Sequence, residues 1–280
     1  MSLIHCNGKP LDLTVPAVMG ILNLTADSFF DGGSYLTVSG RLQRTGQMLS
    51  EGARIIDMGA VSTRPGAPEV SREEELEKLL PSLKAIRKEF PSAIISVDTF
   101  RPEVARAVAC DGADMINDIY GGRYEAGMME TVAALKVPYI IMHMKGIPLN
   151  MQDNPTYSDV IAEITYFFEK QLAGARATGI RDIIIDPGFG FGKNIEHNYR
   201  LLSGLESLQS LGVPVMAGLS RKTMIYRVLG TDPAHALNGT SVLQTIALMK
   251  GASLLRSHDV KEAVEAVELV ETLKKHSQEQ

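Results

Sequence analysis

Ile183-Ile-Ile-Asp-Pro-Gly-Phe-Gly-Phe-Gly-Lys193 sets three β-branched residues directly before a carboxylate, then alternates glycine and phenylalanine up to a lysine. The apolar run reads as a buried strand, Asp186 as its polar end, and the glycine-rich segment as a flexible binding loop that closes on Lys193. Two phosphate motifs fail against it. Pro187 stands where a P-loop needs its first glycine, and Asn194 where it needs Ser or Thr. Gly188, Gly190 and Gly192 also lack the G-x-G-x-x-G spacing of a dinucleotide site. One strand ending in Asp-Pro-Gly is equally a tight turn, so the reading depends on how the other strands end.

Short β-rich runs recur at 18–24, 54–58, Ile94–Asp98, Met115–Asp118, 139–143, Ile183–Asp186, 213–218 and 254–258. Helical periodicity lies between them. In Arg72–Glu89, Leu76, Leu79, Leu80, Leu83 and Ile86 share a face opposite the charges, and Ser71 with Glu74 suits a capping box. The segments 159–178, 241–250 and 260–275 read the same way. Gly52, Gly112 and Gly251 each fall just before a strand, as helix C-cap signals should. Asn7-Gly8 predicts a hairpin between residues 3–6 and 11–14. Eight strands alternating with helices predict a (β/α)8 TIM barrel with a short N-terminal β-hairpin, the open doubly wound sheet being the competing architecture. No linker or composition shift divides the chain, so residues 1–280 read as a single domain.

Composition narrows the function. Hydrophobic residues at 45% and charged residues at 22% are enough for a sizeable core, and the net charge of −5 argues against nucleic acid or an anionic membrane surface. No apolar run approaches the ~20 residues that span a bilayer. The first residues lack a signal-peptide pattern, and Cys6 and Cys110 form neither a disulfide framework nor a metal motif. A cytoplasmic protein is expected.

In such a barrel the site forms where the strands end. Those ends are Asn23, Asp57 with Ser62-Thr63-Arg64, Asp98, Asn117, His143, Asp186, Ser220-Arg221-Lys222, and Arg256 with His258. Any one could be a satisfied strand terminus, and for Asp57 and His143 that reading stands level with the functional one. Eight together point to a binding rim. Asp98, Asn117 and Asp186 suit a planar, donor-rich heterocycle. Arg64, Lys222, Arg256 and His258 suit an anionic group such as a phosphate. Asn23 and Asp27 offer hard oxygens for Mg²⁺ shared with substrate phosphates. The histidines lack zinc-site spacing. Long loops at 25–34 and 59–70 read as lids that exclude water.

Several segments together resemble dihydropteroate synthase, a pterin-binding barrel family. They are Gly20-Ile-Leu-Asn-Leu-Thr-Ala-Asp-Ser-Phe-Phe-Asp-Gly-Gly33, Ser62-Thr-Arg-Pro-Gly-Ala67, Ser96-Val-Asp-Thr99 with Arg101-Pro-Glu, and Ile116-Asn-Asp118. Met142-His-Met144, Asp186 to Lys193, Ser220-Arg-Lys222 and Arg256-Ser-His-Asp-Val260 complete the set, which runs from about residue 10 to 270. The resemblance implies condensation of 6-hydroxymethyl-7,8-dihydropterin diphosphate with p-aminobenzoate, releasing pyrophosphate. It implies Asp98, Asn117, Asp186 and Lys222 around the pterin and Asn23 on Mg²⁺. Thr63, Arg64, Arg256 and His258 fall near the diphosphate, and Phe191 and Ser220 line the p-aminobenzoate pocket. Asp98, Lys222 and Arg256 are the expected catalytic groups, and a homodimer through the C-terminal helices is the implied assembly. The chain departs from the family pattern at Ala26, Phe30, Val61 and Ser257, which bears on the aminobenzoate side and on sensitivity to sulfonamides. A pterin-binding methyltransferase of the same superfamily is the runner-up, but it should lack the Thr-Arg-Pro-Gly and Ser-Arg-Lys segments. A paralogue that binds pterin without turnover is the non-enzymatic alternative.

Overall fold

The computed structural model describes residues 3–24, 37–61, 70–148 and 150–277. The chain opens with strands β1 (Leu3–Cys6) and β2 (Lys9–Asp12), paired antiparallel with Cys6 opposite Lys9. Asn7 and Gly8 have φ of 49° and 82°, the two left-handed positions that a tight two-residue hairpin turn requires. The turn is therefore two residues long, and the second strand starts at Lys9 rather than at residue 11.

Eight parallel strands follow in the order β8-β7-β6-β5-β4-β3-β10-β9. They are β3 (Ala17–Asn23), β4 (Ile55–Gly59), β5 (Ile94–Asp98), β6 (Met115–Asp118), β7 (Tyr139–Met142), β8 (Ile183–Asp186), β9 (Met216–Ala217) and β10 (Leu254–Ser257). A bridge between Ile185 and Val215, with Ile185 N donating to Pro214 O at 3.0 Å, joins the two ends into a barrel. The run at 213–218 thus forms only a two-residue strand: Gly212 is left-handed and Pro214 contributes no N–H to a ladder.

Helices cover the outside. Among them α1 (Val38–Ser50) and α2 (Arg72–Glu89) follow β3 and β4, and α2 begins at the Ser71–Glu74 capping box. Its apolar face buries Leu79, Leu83 and Ile86 against the barrel, each contributing roughly 1.5–3 kcal/mol over an exposed position. Later helices include α5 (Val160–Ala177), α8 (Leu237–Met249) and α9 (Val260–Ser277). Gly52, Gly112 and Gly251 carry φ of 101°, 105° and 88° where helices give way to strands.

What positions the site is the layering inside the barrel. Ile55, Ile94, Met115, Ile140, Ile184, Met216 and Leu254 form one apolar cluster, and Ile4, Cys6 and Leu11 of the hairpin close it from below. Lys9 locks this plug by donating to Ala93 O at 2.9 Å and to Asp114 at 3.1 Å. Side chains alternate along a strand, so the next inward layer lies two residues further on. That layer holds Asp57, Ser96, Asn117, Met142, Asp186, Gly218 and Arg256. The barrel interior changes from hydrocarbon to charge within one step.

Candidate active site

Asp57 is the hub of the upper layer. It is fully buried, and its Oδ2 accepts from Arg256 Nε at 2.7 Å and from Asn117 Nδ2 at 3.2 Å. Arg256 also reaches Asp98 Oδ2 at 3.4 Å, so one guanidinium links the ends of β4, β5 and β10. Burial opposes that charge, but Asp57 and Asp98 hold the Arg256 pKa above its ordinary value. Burial, with the Asp57 charge adding to it, pushes Asp98 up to about 8.

Across the mouth, Asp186 accepts from Gly188 N at 2.7 Å through Oδ1, which fixes the carboxylate plane. Burial raises its pKa, against the pull of Lys222 and of the Gly188 N–H. Burial lowers Lys222 to about 8, opposed by the Asp186 charge. Lys222 Nζ donates to Phe189 O at 2.5 Å and stands 4.8 Å from the Phe191 ring centroid. A Cβ on Gly218 would sit 3.6 Å from Lys222 Nζ and 3.7 Å from Asp186 Oδ2, so the missing side chain opens the space between those groups. Two carboxylates, an amide and two cations therefore face a common mouth. That donor set fits a flat ring with amidine-like edges, next to an anionic substituent.

The segment after β9 splits by direction. Arg221 adopts φ 53° and turns away from the mouth. It grips Asp259 with Nε–Oδ2 at 2.9 Å and Nη2–Oδ1 at 2.8 Å, and donates to Pro233 O and Ala234 O at 2.7 Å each. Ser220, Arg221 and Lys222 thus take separate partners, and Arg221 holds the frame. Ser220 Oγ accepts from His258 N at 3.2 Å and lies 3.1 Å from His258 Nδ1. Burial, with Arg256, Arg221 and Arg44 near, depresses His258 to about 3. His258 is therefore held toward the neutral form by its surroundings, and its hydrogen bonds tie it to Ser220 at the rim.

The glycine-rich loop is tied down at several points. Gly188, Gly190 and Gly192 take φ of 68°, 84° and 60°, so the backbone alternates in hand, and side chains take its carbonyls one by one. Gln152 Nε2 donates to Gly190 O at 2.6 Å, Tyr157 OH to Gly192 O at 2.9 Å, and Asn198 Nδ2 to Lys193 O at 3.1 Å. Gly190 N returns to Asn198 Oδ1 at 2.7 Å. The loop presents Phe191 on the same apolar patch as Val61, with Phe100, Ile119, Tyr120, Met142 and Met144 beneath them. His143 lies behind it, held by Lys193 at 3.0 Å.

Of the residues singled out from sequence, Asp98, Asn117, Asp186, Lys222, Arg256, Ser220, His258 and Phe191 gather at this end of the barrel. Asn23 ends β3 beside Gly59 on the same rim. Thr63, Arg64, Asp27, Ala26 and Phe30 lie outside the described residues. Sequence reasoning left Asp57 undecided and gave Lys193 no role. The signal for Asp57 was its place in the inward parity of β4, two residues beyond Ile55. Among the described residues no cluster of three or more His, Cys, Asp or Glu could hold a metal. A single amide oxygen at Asn23 fits Mg²⁺ only where water and substrate phosphates complete the octahedron.

The description "pterin binding enzyme" matches residues 19–258 of this chain. A dihydropteroate synthase of Escherichia coli strain K12 is 46% identical over 270 residues, which cover 96% of this chain and 95% of the relative. The Yersinia pestis dihydropteroate synthase, solved with a sulfonamide drug complex, superposes with a TM-score of 0.94 at 43% identity, covering 98% of this chain and 99% of that one. The Xanthomonas albilineans enzyme with 4-aminobenzoic acid gives 0.90 at 41% identity, covering 98% of each chain.

Proposed function

This chain belongs to the pterin-binding enzyme family, and from that premise we propose how its rim carries out the dihydropteroate synthase reaction. The reaction joins 6-hydroxymethyl-7,8-dihydropterin diphosphate to p-aminobenzoate and yields 7,8-dihydropteroate and pyrophosphate. The observation that carries the reading is the polar layer of Asp57, Asn117, Asp186 and Arg256 directly above an apolar one, inside a chain so similar to enzymes of that name.

Asp98, Asn117, Asp186 and Lys222 hold the pterin. Asp186 and Asn117 pair with its donor edge, while Asp98, protonated in the free site, is drawn into its carboxylate form by positive charge spreading into the ring and stabilises that charge as the methylene–oxygen bond lengthens. Arg256 binds the diphosphate, a role that the family resemblance gives to Thr63 and Arg64 as well, and the electron pair of the breaking bond leaves on pyrophosphate. The p-aminobenzoate nitrogen then forms the new carbon–nitrogen bond and loses a proton. Phe191 and Ser220 line the amine pocket, and His258, hydrogen-bonded to Ser220, serves the diphosphate side. Asn23, with Asp27, would hold Mg²⁺, which when bound neutralises phosphate charge. No enzyme nucleophile is needed. The chemistry depends on orientation, charge and exclusion of water.

The whole chain, 1–280, works as one cytoplasmic domain and as a homodimer. Val242, Ile246 and Met249 on α8 are exposed at i, i+4 and i+7, beside exposed Leu269 and Leu273 on the neighbouring α9. A stripe of that size on two packed helices fits the same stripe of a second copy. Met249→Asp with Leu269→Asp should halve the mass seen by light scattering, and an unchanged mass would rule this face out. The activity itself is tested by pyrophosphate release from the dihydropterin diphosphate with and without p-aminobenzoate. Tight pterin binding with no amine-dependent release would refute the synthase reading.

A further inference from the structure

Lys193 is 2% exposed, lies outside the binding groups above, and has all three of its N–H donors taken. Its Nζ lies 2.9 Å from Gly188 O, 3.0 Å from Phe191 O and 3.0 Å from His143 Nδ1. Burial lowers the Lys193 pKa well below its ordinary value, but the nearby Asp186 charge and the carbonyl acceptors around Nζ favour the ammonium. As an ammonium it only donates, so His143 Nδ1 accepts and the imidazole proton sits on Nε2. Burial and the Lys193 charge hold the His143 pKa near 2, in keeping with a neutral ring.

We infer that Lys193 is the positioning residue of the arylamine wall: its ammonium is the core around which backbone 188–192 is wound, and it fixes where the Phe191 ring stands against Lys222. The inference rests on the reading of Phe191 as that wall.

Packing sets the direction in which the loop yields if the ammonium is lost. A Cβ on Gly188 would come within 2.0 Å of His143 O, and one on Gly192 within 2.2 Å of Lys145 O. The backbone is therefore already pressed against residues 143–145 and cannot move further inward. Without Lys193 two carbonyls and a ring nitrogen lose their donor in a dry interior, and the loop relaxes outward, toward the mouth where Phe191 stands. The pterin side is held from the opposite edge of the loop. Gly188 N, not a carbonyl, anchors Asp186, and Asp57 anchors Asn117 on the far side of the barrel. Lys222, which donates to Phe189 O, is the pterin group tied to the loop's carbonyl edge, so loss of Lys193 weighs far more on the amine than on the pterin.

The test is steady-state kinetics on Lys193→Met in the full-length protein, with each substrate varied in turn. We expect KM for p-aminobenzoate to rise about tenfold or more while KM for the pterin diphosphate stays within about twofold, the scale on which a misplaced wall acts. In Lys193→Ala, added propylammonium should restore part of the lost amine affinity and tetramethylammonium, which cannot donate, should not. Equal rises in both KM values, or no rise in either, would overturn the assignment. Should Lys193→Met fail to fold, Tyr157→Phe and Gln152→Ala each remove a single outer donor from the same loop. Each should raise the amine KM about threefold, a fraction of one hydrogen bond. No shift in either variant overturns the assignment as well. Wild-type protein without amine-dependent pyrophosphate release would refute the function itself; wild-type turnover with an unsplit Lys193→Met would refute only the role of Lys193.

Discussion

Replacing Asp57 by Asn tests whether the buried carboxylate organises the rim. Asparagine keeps the shape and one oxygen, which can still accept from Arg256 Nε and Asn117 Nδ2, at 2.7 and 3.2 Å in the native protein. What it loses is charge. A hydrogen bond between charged groups contributes roughly 1.5–3 kcal/mol against about 0.5–1.5 for a neutral one, so this exchange costs about 1–1.5 kcal/mol. The new NH2 falls where Asp57 Oδ1 is buried without a hydrogen-bond partner, adding about 1–3 kcal/mol for a donor out of water. The only charged partner Arg256 keeps among the groups it bonds here is Asp98, 3.4 Å away. Together these give a loss of about 2–4 kcal/mol, read in urea unfolding as a lower midpoint at unchanged slope. The same variant should raise KM for the diphosphate substrate, because the freed guanidinium no longer points along one line. A loss under about 0.5 kcal/mol with unchanged KM would show that Arg256 is aimed by something other than Asp57.

Asp98 gives a pH dependence with a definite sign. Its carboxyl moves from 3.8 to about 8 on folding, so the native protein holds a proton that the unfolded chain has released between those values. The stability this confers is complete below about pH 4 and lost as pH rises through 8. Asp98→Asn should therefore flatten the fall in unfolding free energy between about pH 5 and pH 8.5, and parallel wild-type and variant profiles would refute the shift. Asp186→Asn should weaken pterin binding by roughly 1.5–3 kcal/mol in titration calorimetry, and unchanged affinity would leave that residue a structural role only.

The barrel was legible because each strand carries its own signal. Three of the eight expected strands keep their bounds to the residue, Ile94–Asp98, Met115–Asp118 and Ile183–Asp186, where β-branched runs meet a polar end. The run at 213–218 was overextended because apolar content says nothing about ladder partners, and Gly212 and Pro214 cut that pairing short. The rim was legible as a set of strand ends but not as a network. Nothing in Ser220-Arg221-Lys222 announces that the middle residue is left-handed and faces Asp259, since the pairing spans 38 positions. His258 reads as a cation in sequence, but burial first, and then arginines brought in from distant segments, lower its pKa in the fold. Flexibility was inferred for the Gly-Phe-Gly-Phe-Gly segment from glycine content alone. Glycine permits the alternating backbone, and the donors that freeze it come from Gln152, Tyr157, Lys193, Asn198 and Lys222.

The same layering explains why so polar a site can sit inside a barrel at all. Burying Asp57, Asp186 and Arg256 opposes folding, since each charge leaves water. The step below them offsets that cost: seven inward residues, from Ile55 round to Leu254, form a dry layer sealed by Ile4, Cys6 and Leu11 of the hairpin. The hairpin's side chains bond to Ala93, Asp114 and Asp182 at the end of the barrel away from the rim, and they keep water from reaching the charged layer from beneath. The layer's cations and carboxylates therefore interact with one another and with substrate at low dielectric, where oriented charge acts most strongly on a developing cation and a departing anion. Stability and chemistry in this chain meet in the parity of the strands, with residue i of β4, β6 and β8 sealing the barrel and residue i+2 forming the polar layer above it.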